Sequence, residues 1–231
     1  MNLPLSAPRT HNVIDPAILY FGTPVVLLGT ASTDGHENIA LMSSVFWLGS
    51  RAVLGMGSRS QTARNLMATR ECVLNLPSVR EVDAVDALAL TTGRTSVPPG
   101  KDGVGYRSVG DKFAHAGLTA AQGETVRAPR ALECPVNLEG RVIAVRRLGD
   151  PEGAAAPQPA RGDEELPQGT YLFEVDITRV HVHPDVRMAG TDHRVEPDAW
   201  RPLIMSFQQF YGLGERVRPS RLAGIEEEWY R

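Results

Sequence analysis

Three apolar segments succeed one another early in the chain with too little between them for a crossover helix. PVVLLGTAS at 24–32 is separated from IALMSSVFWLG at 39–49 by TDGHEN, and Ser50 alone separates that segment from RAVLGMG at 51–57. Parallel neighbours need a connection of about a dozen residues or more, whereas antiparallel ones can turn in two. Asp34-Gly35 supplies a hairpin signal between the first two segments. The three segments read as an antiparallel meander, and any fold for this chain has to be built around it.

Downstream the period changes. Residues 61–70 can form a short helix with Ser60 or Thr62 as its N-cap, and ECVLNLP at 71–77 reads as a strand ended by proline. Ser78 is placed to cap VREVDAVDALAL, where Val79, Val82, Val85, Leu88 and Ala89 recur at helical spacing. Residues 93–111 mix glycine, proline and charge in a long loop, and DKFAHAGL at 111–118 adds a helical turn. ALECPVNLEGRVIAVRRL at 131–148 predicts a long strand with Gly140 as a bend or bulge. Residues 150–169 predict a mobile loop. TYLFEVDITRVHVHP then resumes strand character, and the tail from about 185 to 231 is an extension. Many strands, few helices and no βαβ alternation predict a mainly β chain: a barrel with helical additions, in one domain spanning 1–231.

Composition excludes several classes of partner. The chain has 231 residues, 24 basic and 27 acidic, for a net charge of −3, so no basic excess suggests nucleic acid. Cys72 and Cys134 match no metal or redox spacing, which fits a reducing, cytoplasmic setting. No apolar run approaches the roughly 20 residues of a membrane span. The first residues lack a charged segment followed by an apolar one, so no signal peptide is expected.

The stretch GSRSQTARN at 57–65 packs hydroxyls at Ser58, Ser60 and Thr62, arginines at 59 and 64 and an amide at Asn65 between two pieces of core. A dinucleotide fingerprint is one reading, since GMGSRS begins G-x-G. Its third glycine position holds Ser60, however, and the strands before it are hairpin-linked rather than part of a βαβ unit. Simple helix caps are a second reading, each worth about 1 kcal/mol, and they account for one or two of these residues. An anion cradle is the third. A helix start offers free N–H groups and partial positive charge, and hydroxyls, an amide and an arginine around it can bind phosphate oxygens.

Several blocks in order resemble the flavin reductase-like, FMN-binding split-barrel family. They are DG-x-x-N-x-A-x-x-SS from Asp34 to Ser44, S-x-S-x-T-x-x-N-L from Ser58 to Leu66, ECVLNLP, and DKFAHAGLT followed by VRAPRALECPVNLEGRV. The resemblance runs from about Pro24 to His183. WRPLIMSFQQFYGLG resembles the C-terminal segment of an actinobacterial-type branch. The resemblance implies a six-stranded antiparallel split barrel, usually a homodimer with flavin near the subunit interface. It places Ser58, Ser60, Thr62 and Asn65 on the flavin phosphate. Asn38, Ser43 and Ser44 then face the isoalloxazine and ribityl chain, largely through backbone groups. Lys112 lies near the ring or phosphate, and Phe207 or Tyr211 covers the ring.

The implied cofactor is FMN, with FAD as the alternative, and the implied reaction is hydride transfer from NAD(P)H to the flavin. Such chemistry belongs to the cofactor and needs no side-chain nucleophile, in keeping with the lack of a triad here. A non-enzymatic FMN-binding electron carrier is the main rival, and a haem-binding split barrel a third possibility. Two positions depart from the usual pattern. Leu41 stands where proline is common, and QGTYLF at 168–173 lacks a histidine often found at that strand entry. His181 and His183 share a strand face and are the candidates to replace it. Without the resemblance, Lys112 reads as a solvated surface lysine and the two histidines as exposed strand residues. His115 is a further candidate to approach the flavin, or a packing residue. Trp47 and Phe46 fill the core or a dimer interface. Lys101 and Arg107, in the loop before Lys112, are placed to touch a nicotinamide phosphate.

Overall fold

The computed structural model describes residues 11–151, 154, 155, 157, 166–226 and 229. Most of the loop expected to be mobile at 150–169 lies outside the described residues. In chain order the elements are β1 (Phe21–Pro24), β2 (Val26–Ala31), β3 (Glu37–Met42), β4 (Val45–Leu48), β5 (Arg51–Gly57), α1 (Gln61–Thr69), β6 (Glu71–Leu76), α2 (Val82–Ala87), β7 (Thr91–Thr92) and β8 (Arg107–Ser108). They continue as α3 (Lys112–His115), β9 (Ala120–Ala121), β10 (Arg130–Ala131), β11 (Val136–Arg147), β12 (Thr170–Val182), α4 (Pro197–Trp200), β13 (Leu203–Ser206) and β14 (Gln209–Gly212).

Seven strands form one antiparallel sheet in the order β3-β2-β6-β11-β12-β5-β4. β3 and β4 stand at opposite edges of it, yet Ser43 and Ser44 are all that lies between them in the chain. A flat sheet of this size would hold its edges roughly 29 Å apart, and the link can reach about 11 Å. The sheet must therefore curl until its edges meet. The barrel is closed there by the chain itself, with β3 and β4 unpaired to each other, which is the split. The expected six strands become seven because the segment read as one strand at 39–49 breaks at this corner. The Gly55 N–H donates to the Ser44 carbonyl at 2.9 Å and pins it.

Two cores follow from alternation along β2. Val26 and Leu28 point into the barrel with Leu54, Leu66, Leu74, Leu138 and Phe173. Val25 and Leu27 face outward, onto Ile39, Val85, Leu88, Phe113 and Leu203. A strand buried on both faces reads as a continuous apolar run, which is why VVLL shows no alternation. Each such side chain contributes roughly 1.5–3 kcal/mol by leaving water. β1, β13 and β14 add a small sheet, so the C-terminal extension packs on the outer core.

Local signals largely hold. Gly35 turns the β2–β3 hairpin at a φ of +88°. Ser60 caps α1, and Arg70 ends it in the left-handed region. Ser78 and Glu81 form a capping box, which opens a short 3-10 turn at Val79–Glu81 before α2. The register of β11 against β12 slips between Glu139 and Gly140, the expected bulge. A Cβ on Gly140 would lie 2.4 Å from Val175 Cγ1, so the close strand approach requires glycine.

Candidate functional site

The open edge of β3 is the natural place to begin. β3 pairs with β2 on one side, and the sheet gives it no partner on the other. α1 and α3 both pack beside it. Asn38, on β3, is 3% exposed. Its Nδ2 donates to Thr30 Oγ1 at 3.2 Å and to Thr62 Oγ1 at 3.1 Å. Asn65 Nδ2 donates to the same Thr30 oxygen at 3.0 Å, and Gln61 Nε2 donates to Asn65 Oδ1 at 2.8 Å. Helical spacing puts residues 62 and 65 on one face of α1, and that face meets β2 and β3. The structure thus joins Asn38 and Asn65 through Thr30, and Thr62 to them through Asn38. Thr30, fully buried in an apolar strand, is the hub that sequence reasoning passed over. Its signal was a lone hydroxyl inside VVLLGTA.

One atom of this network is left over. Asn38 Oδ1 is buried and accepts no hydrogen bond. A buried amide oxygen without a donor costs about 1–3 kcal/mol. Gly93 comes against it so closely that a Cβ there would sit 2.4 Å away. The acceptor is covered by the chain at Gly93, next to the cleft that Gly93 itself lines.

The other hydroxyls have separate duties. Ser60 Oγ accepts from the Ala63 N–H at 3.0 Å and donates to the Gly57 carbonyl at 3.2 Å. Ser58, 3% exposed, accepts through Oγ from the Gly169 N–H at 3.3 Å. The first N–H groups of α1, at Gln61 and Thr62, have no partner within the helix. Ser43 and Ser44 line a second cavity of about 260 Å³ with Tyr20, Met42, Met205 and Gln208. Phe207 and Gln208 form the two-residue turn between β13 and β14, both in the left-handed region at φ of 45° and 63°. Such backbone is costly for non-glycine residues and gathers at functional sites. The Phe207 ring meets Phe21 edge-on at 4.8 Å, and Tyr211 is exposed on β14.

Lys112 is not the solvated lysine that its residue type suggests. It is 4% exposed, on α3, with no ion pair and no hydrogen bond among the described residues. Burial, and after it the charge of Lys101, brings its pKa from 10.5 down to about 8. A buried ammonium with no counter-charge is a binding group for an anion. A cleft of about 640 Å³ lies between the β2–β3 turn, α1 and the 93–110 loop, lined by Asp34, His36, Gln61, Asn65, Arg94 and Ser108 among others, and Lys112 is not in its wall. That volume lies within the ordinary range for a small-molecule site.

The histidines lie elsewhere. β12 starts with Thr170 opposite Gly57, next to α1. His181 is eleven residues on, roughly 35 Å along the strand. It is not an exposed strand residue: its side chain is 18% exposed, and Nε2 meets the fully buried Glu139 at 2.8 Å. Burial alone would raise the Glu139 pKa. The Thr125 hydroxyl, the Glu124 and Thr125 N–H groups and His181 outweigh burial and hold it at about 2. This cluster clamps the 124–125 loop to β11. His183 is exposed and caps the turn at Pro184–Val186. His115 Nε2 lies 3.1 Å from Arg107 and 3.2 Å from the Ala87 carbonyl. Among the described residues, no three His, Cys, Asp or Glu gather as metal ligands. None of the helices there is long and apolar enough to cross a membrane.

Comparison with known proteins bears on this geometry. Residues 18–214 match the model of the flavin reductase like domain. The chain is 32% identical over 218 residues to the "Uncharacterized protein YdfE" of Bacillus subtilis (strain 168), covering 94% of this chain and 96% of that one. Among solved structures it resembles the flavoredoxin of Desulfovibrio vulgaris (Miyazaki F), with a TM-score of 0.70 at 20% identity over 94% of this chain and all of that one. It also resembles the NADH:FAD oxidoreductase SgcE6 of Streptomyces globisporus C-1027, with a TM-score of 0.59 at 14% identity over 90% of this chain and all of that one.

Proposed function

The chain belongs to the flavin reductase-like family, and on that premise we propose that it is an FMN-binding oxidoreductase using NAD(P)H as electron donor. The observation that carries the reading is the pairing of two unmet needs beside β3: the buried Asn38 oxygen without a donor and the buried Lys112 without an anion. A flavin mononucleotide has what both lack. Its ring and ribityl chain carry N–H and O–H donors, and its phosphate is an anion.

In this reading the start of α1 and Lys112 hold the phosphate, with Ser58, Ser60, Thr62 and Asn65 shaping that corner. All three of those hydroxyls already serve the fold, so their part is chiefly to fix the free N–H groups of Gln61 and Thr62 in place. Asn38 and the open backbone edge of β3 meet the ring and ribityl side, and the chain continues to Ser43 and Ser44 at the split. The turn carrying Phe207 stands over that second cavity and covers the ring. When bound, the flavin supplies the two-electron chemistry. The protein orients it, and Lys112 and the α1 amides stabilise negative charge. FAD is accommodated only if the larger cleft takes its adenylyl half.

The homodimer is part of the proposal. On β4, Val45 and Trp47 point inward while Phe46 and Leu48 stand 57% and 79% exposed. An edge strand with bare aromatic and aliphatic side chains is a surface that a second copy would cover. Light scattering at micromolar concentration is expected to give a dimer, and Phe46→Asp with Leu48→Asp a monomer. A monomeric parent would remove this part of the reading.

The test of function is an anaerobic absorbance spectrum of the FMN-loaded protein before and after adding NADH or NADPH. Rapid bleaching of the flavin is expected with at least one of them. Retained yellow colour with neither bleaching it would make the protein a carrier. A protein that binds no flavin at all would end the reading.

A further inference from the structure

A cavity of about 230 Å³ lies where the chain leaves β6, enters β11, leaves β12 and runs through α4. The charges in its wall are unevenly used. Glu81 Oε2 accepts from the Ser78 N–H at 2.7 Å and from the Ser78 hydroxyl at 2.8 Å. Both oxygens of Glu133 accept from the Thr119 N–H, at 3.0 and 2.9 Å. Asp185 has His183 Nδ1 at 3.6 Å. Arg80 and Arg201 line the same cavity, and neither side chain has an ion pair or a hydrogen bond among the described residues. Arg201 is held in left-handed backbone at a φ of 49°. Its carbonyl accepts from the Val79 N–H at 3.1 Å, and the Leu203 N–H donates to the Pro77 carbonyl at 3.2 Å, so the segment is stitched down on both sides of the strained residue. Such backbone is costly for residues other than glycine and gathers at functional sites. The wall thus keeps two guanidinium groups without an anion, beside apolar Val79, Val186 and Trp200.

The C-terminal tail carries what this wall lacks. It lies beyond the matched domain, which ends at residue 214. It also leaves the body beside the cavity. A Cβ on Gly212 would meet Val79 Cγ1 at 2.7 Å, and Arg216 pairs with Asp198 of α4, whose Ala199 and Trp200 line the cavity. Farther on, Leu222, Ile225 and Trp229 recur at helical spacing, and all three are exposed, Trp229 by 82%. Glu226 to Glu228 form an acidic run between them. From Arg216 to Trp229 the chain reaches up to about 43 Å, enough to bring Trp229 back to where the tail is tied. Sites for small molecules start at about 300 Å³, so a cavity of 230 Å³ suits one inserted side chain better.

We propose that the tail docks on the body of its own chain, with Trp229 in this cavity and the acidic run at 226–228 against Arg80 and Arg201. The structure holds the tail in its undocked position. Docking makes it a latch over residues 199–201, which lead into β13 and the turn that carries Phe207. The inference stands independently of the flavin reading.

Fluorine NMR of the full chain grown with 5-fluorotryptophan tests it. The chain has three tryptophans, and Trp229→Phe assigns the signal of Trp229. Exposure is read from the shift between light and heavy water, which is full for a solvated indole. The expected result is a Trp229 shift less than half that of free 5-fluorotryptophan in the parent. The full shift returns in Arg80→Glu with Arg201→Glu, and again in Glu226→Lys with Glu227→Lys and Glu228→Lys. Combining the two reversals restores the shielding, which a merely damaged wall would not do. A full shift in the parent refutes the docking. A shielded signal that neither reversal moves, or that the combined variant fails to recover, refutes the pairing of tail and wall. Labelled wall variant mixed with unlabelled tail variant is expected to keep the full shift. Shielding regained in that mixture places the tail on a second copy and refutes docking on its own body.

Discussion

Replacing Lys112 by methionine should make the empty protein more stable and its flavin complex weaker. Methionine keeps an unbranched apolar stem and drops the charge. In the folded chain the Lys112 pKa falls from 10.5 to about 8, first through burial and then through Lys101. The fall corresponds to about 3 kcal/mol disfavouring the charged form. Its sign is fixed by linkage. The unfolded chain keeps this proton up to about pH 10.5 and the folded chain up to about pH 8, so the penalty is full below pH 8, shrinks between the two and vanishes above. Urea unfolding of flavin-free protein at pH 7 should therefore show Lys112→Met more stable than the parent by about 1–3 kcal/mol, less than the whole penalty because packing is imperfectly restored. The gap should narrow towards pH 10. Saturating FMN should reverse the order, because bound ligand stabilises the parent in proportion to the logarithm of its affinity. The variant should bind FMN at least tenfold more weakly. A flavin-free variant no more stable than the parent at pH 7 would refute the argument from burial. Unchanged FMN affinity would refute the pairing with phosphate.

Two further substitutions follow from buried bonds. Glu139→Gln should cost about 2–4 kcal/mol at pH 7, because a carboxylate held at about pKa 2 contributes stability above its ordinary value of 4.5 and loses it as pH falls towards 2. In denaturant titrations the gap between parent and variant should close between pH 4.5 and pH 2, and an undiminished gap at pH 2.5 would count against this account. Thr30→Val keeps the shape but leaves the Asn65 amide without the acceptor it holds at 3.0 Å. A loss of about 1–3 kcal/mol is expected, with FMN affinity reduced as Asn38 loosens. Calorimetric unfolding with and without FMN measures both.

The barrel was readable wherever sequence and local geometry say the same thing. Asp34-Gly35 announced a hairpin, Ser60 a helix start and Gly140 a bulge, and each is a position where backbone conformation or a single cap dictates residue type. The break at Ser43–Ser44 gave no such sign. IALMSSVFWLG suits a strand throughout, and two serines neither force a bend nor forbid one. What breaks it is a global demand, that β3 and β4 lie at the two edges of a sheet closing on itself. No window of a dozen residues contains that demand, so one strand was expected where there are two.

The site shows the same division at finer scale. Hydroxyls at 58, 60 and 62 look like one cradle when written in a line, but a helix start does not keep alternate residues on one side. Ser58 turns to Gly169, Ser60 turns back to its own helix, and Thr62 turns under it to Asn38. The amides that a phosphate would meet are set by those serines rather than supplemented by them. Positive charge comes from residues that composition alone leaves on the surface: Lys112, because α3 buries it beside β3, and Lys101, because the Arg59–Pro99 bond folds its loop back over α1. Burial converts an ordinary lysine into an anion's partner by removing the water that would otherwise satisfy it. Burial is also what a sequence states least directly for a charged residue, since the solvated and the buried lysine are spelled alike. The resemblance of the DKF block pointed to Lys112, and the structure supplies a physical reason for it to matter: a largely buried lysine without an ion pair among the described residues, on a helix packed against β3, the strand that carries the unpaired Asn38 acceptor.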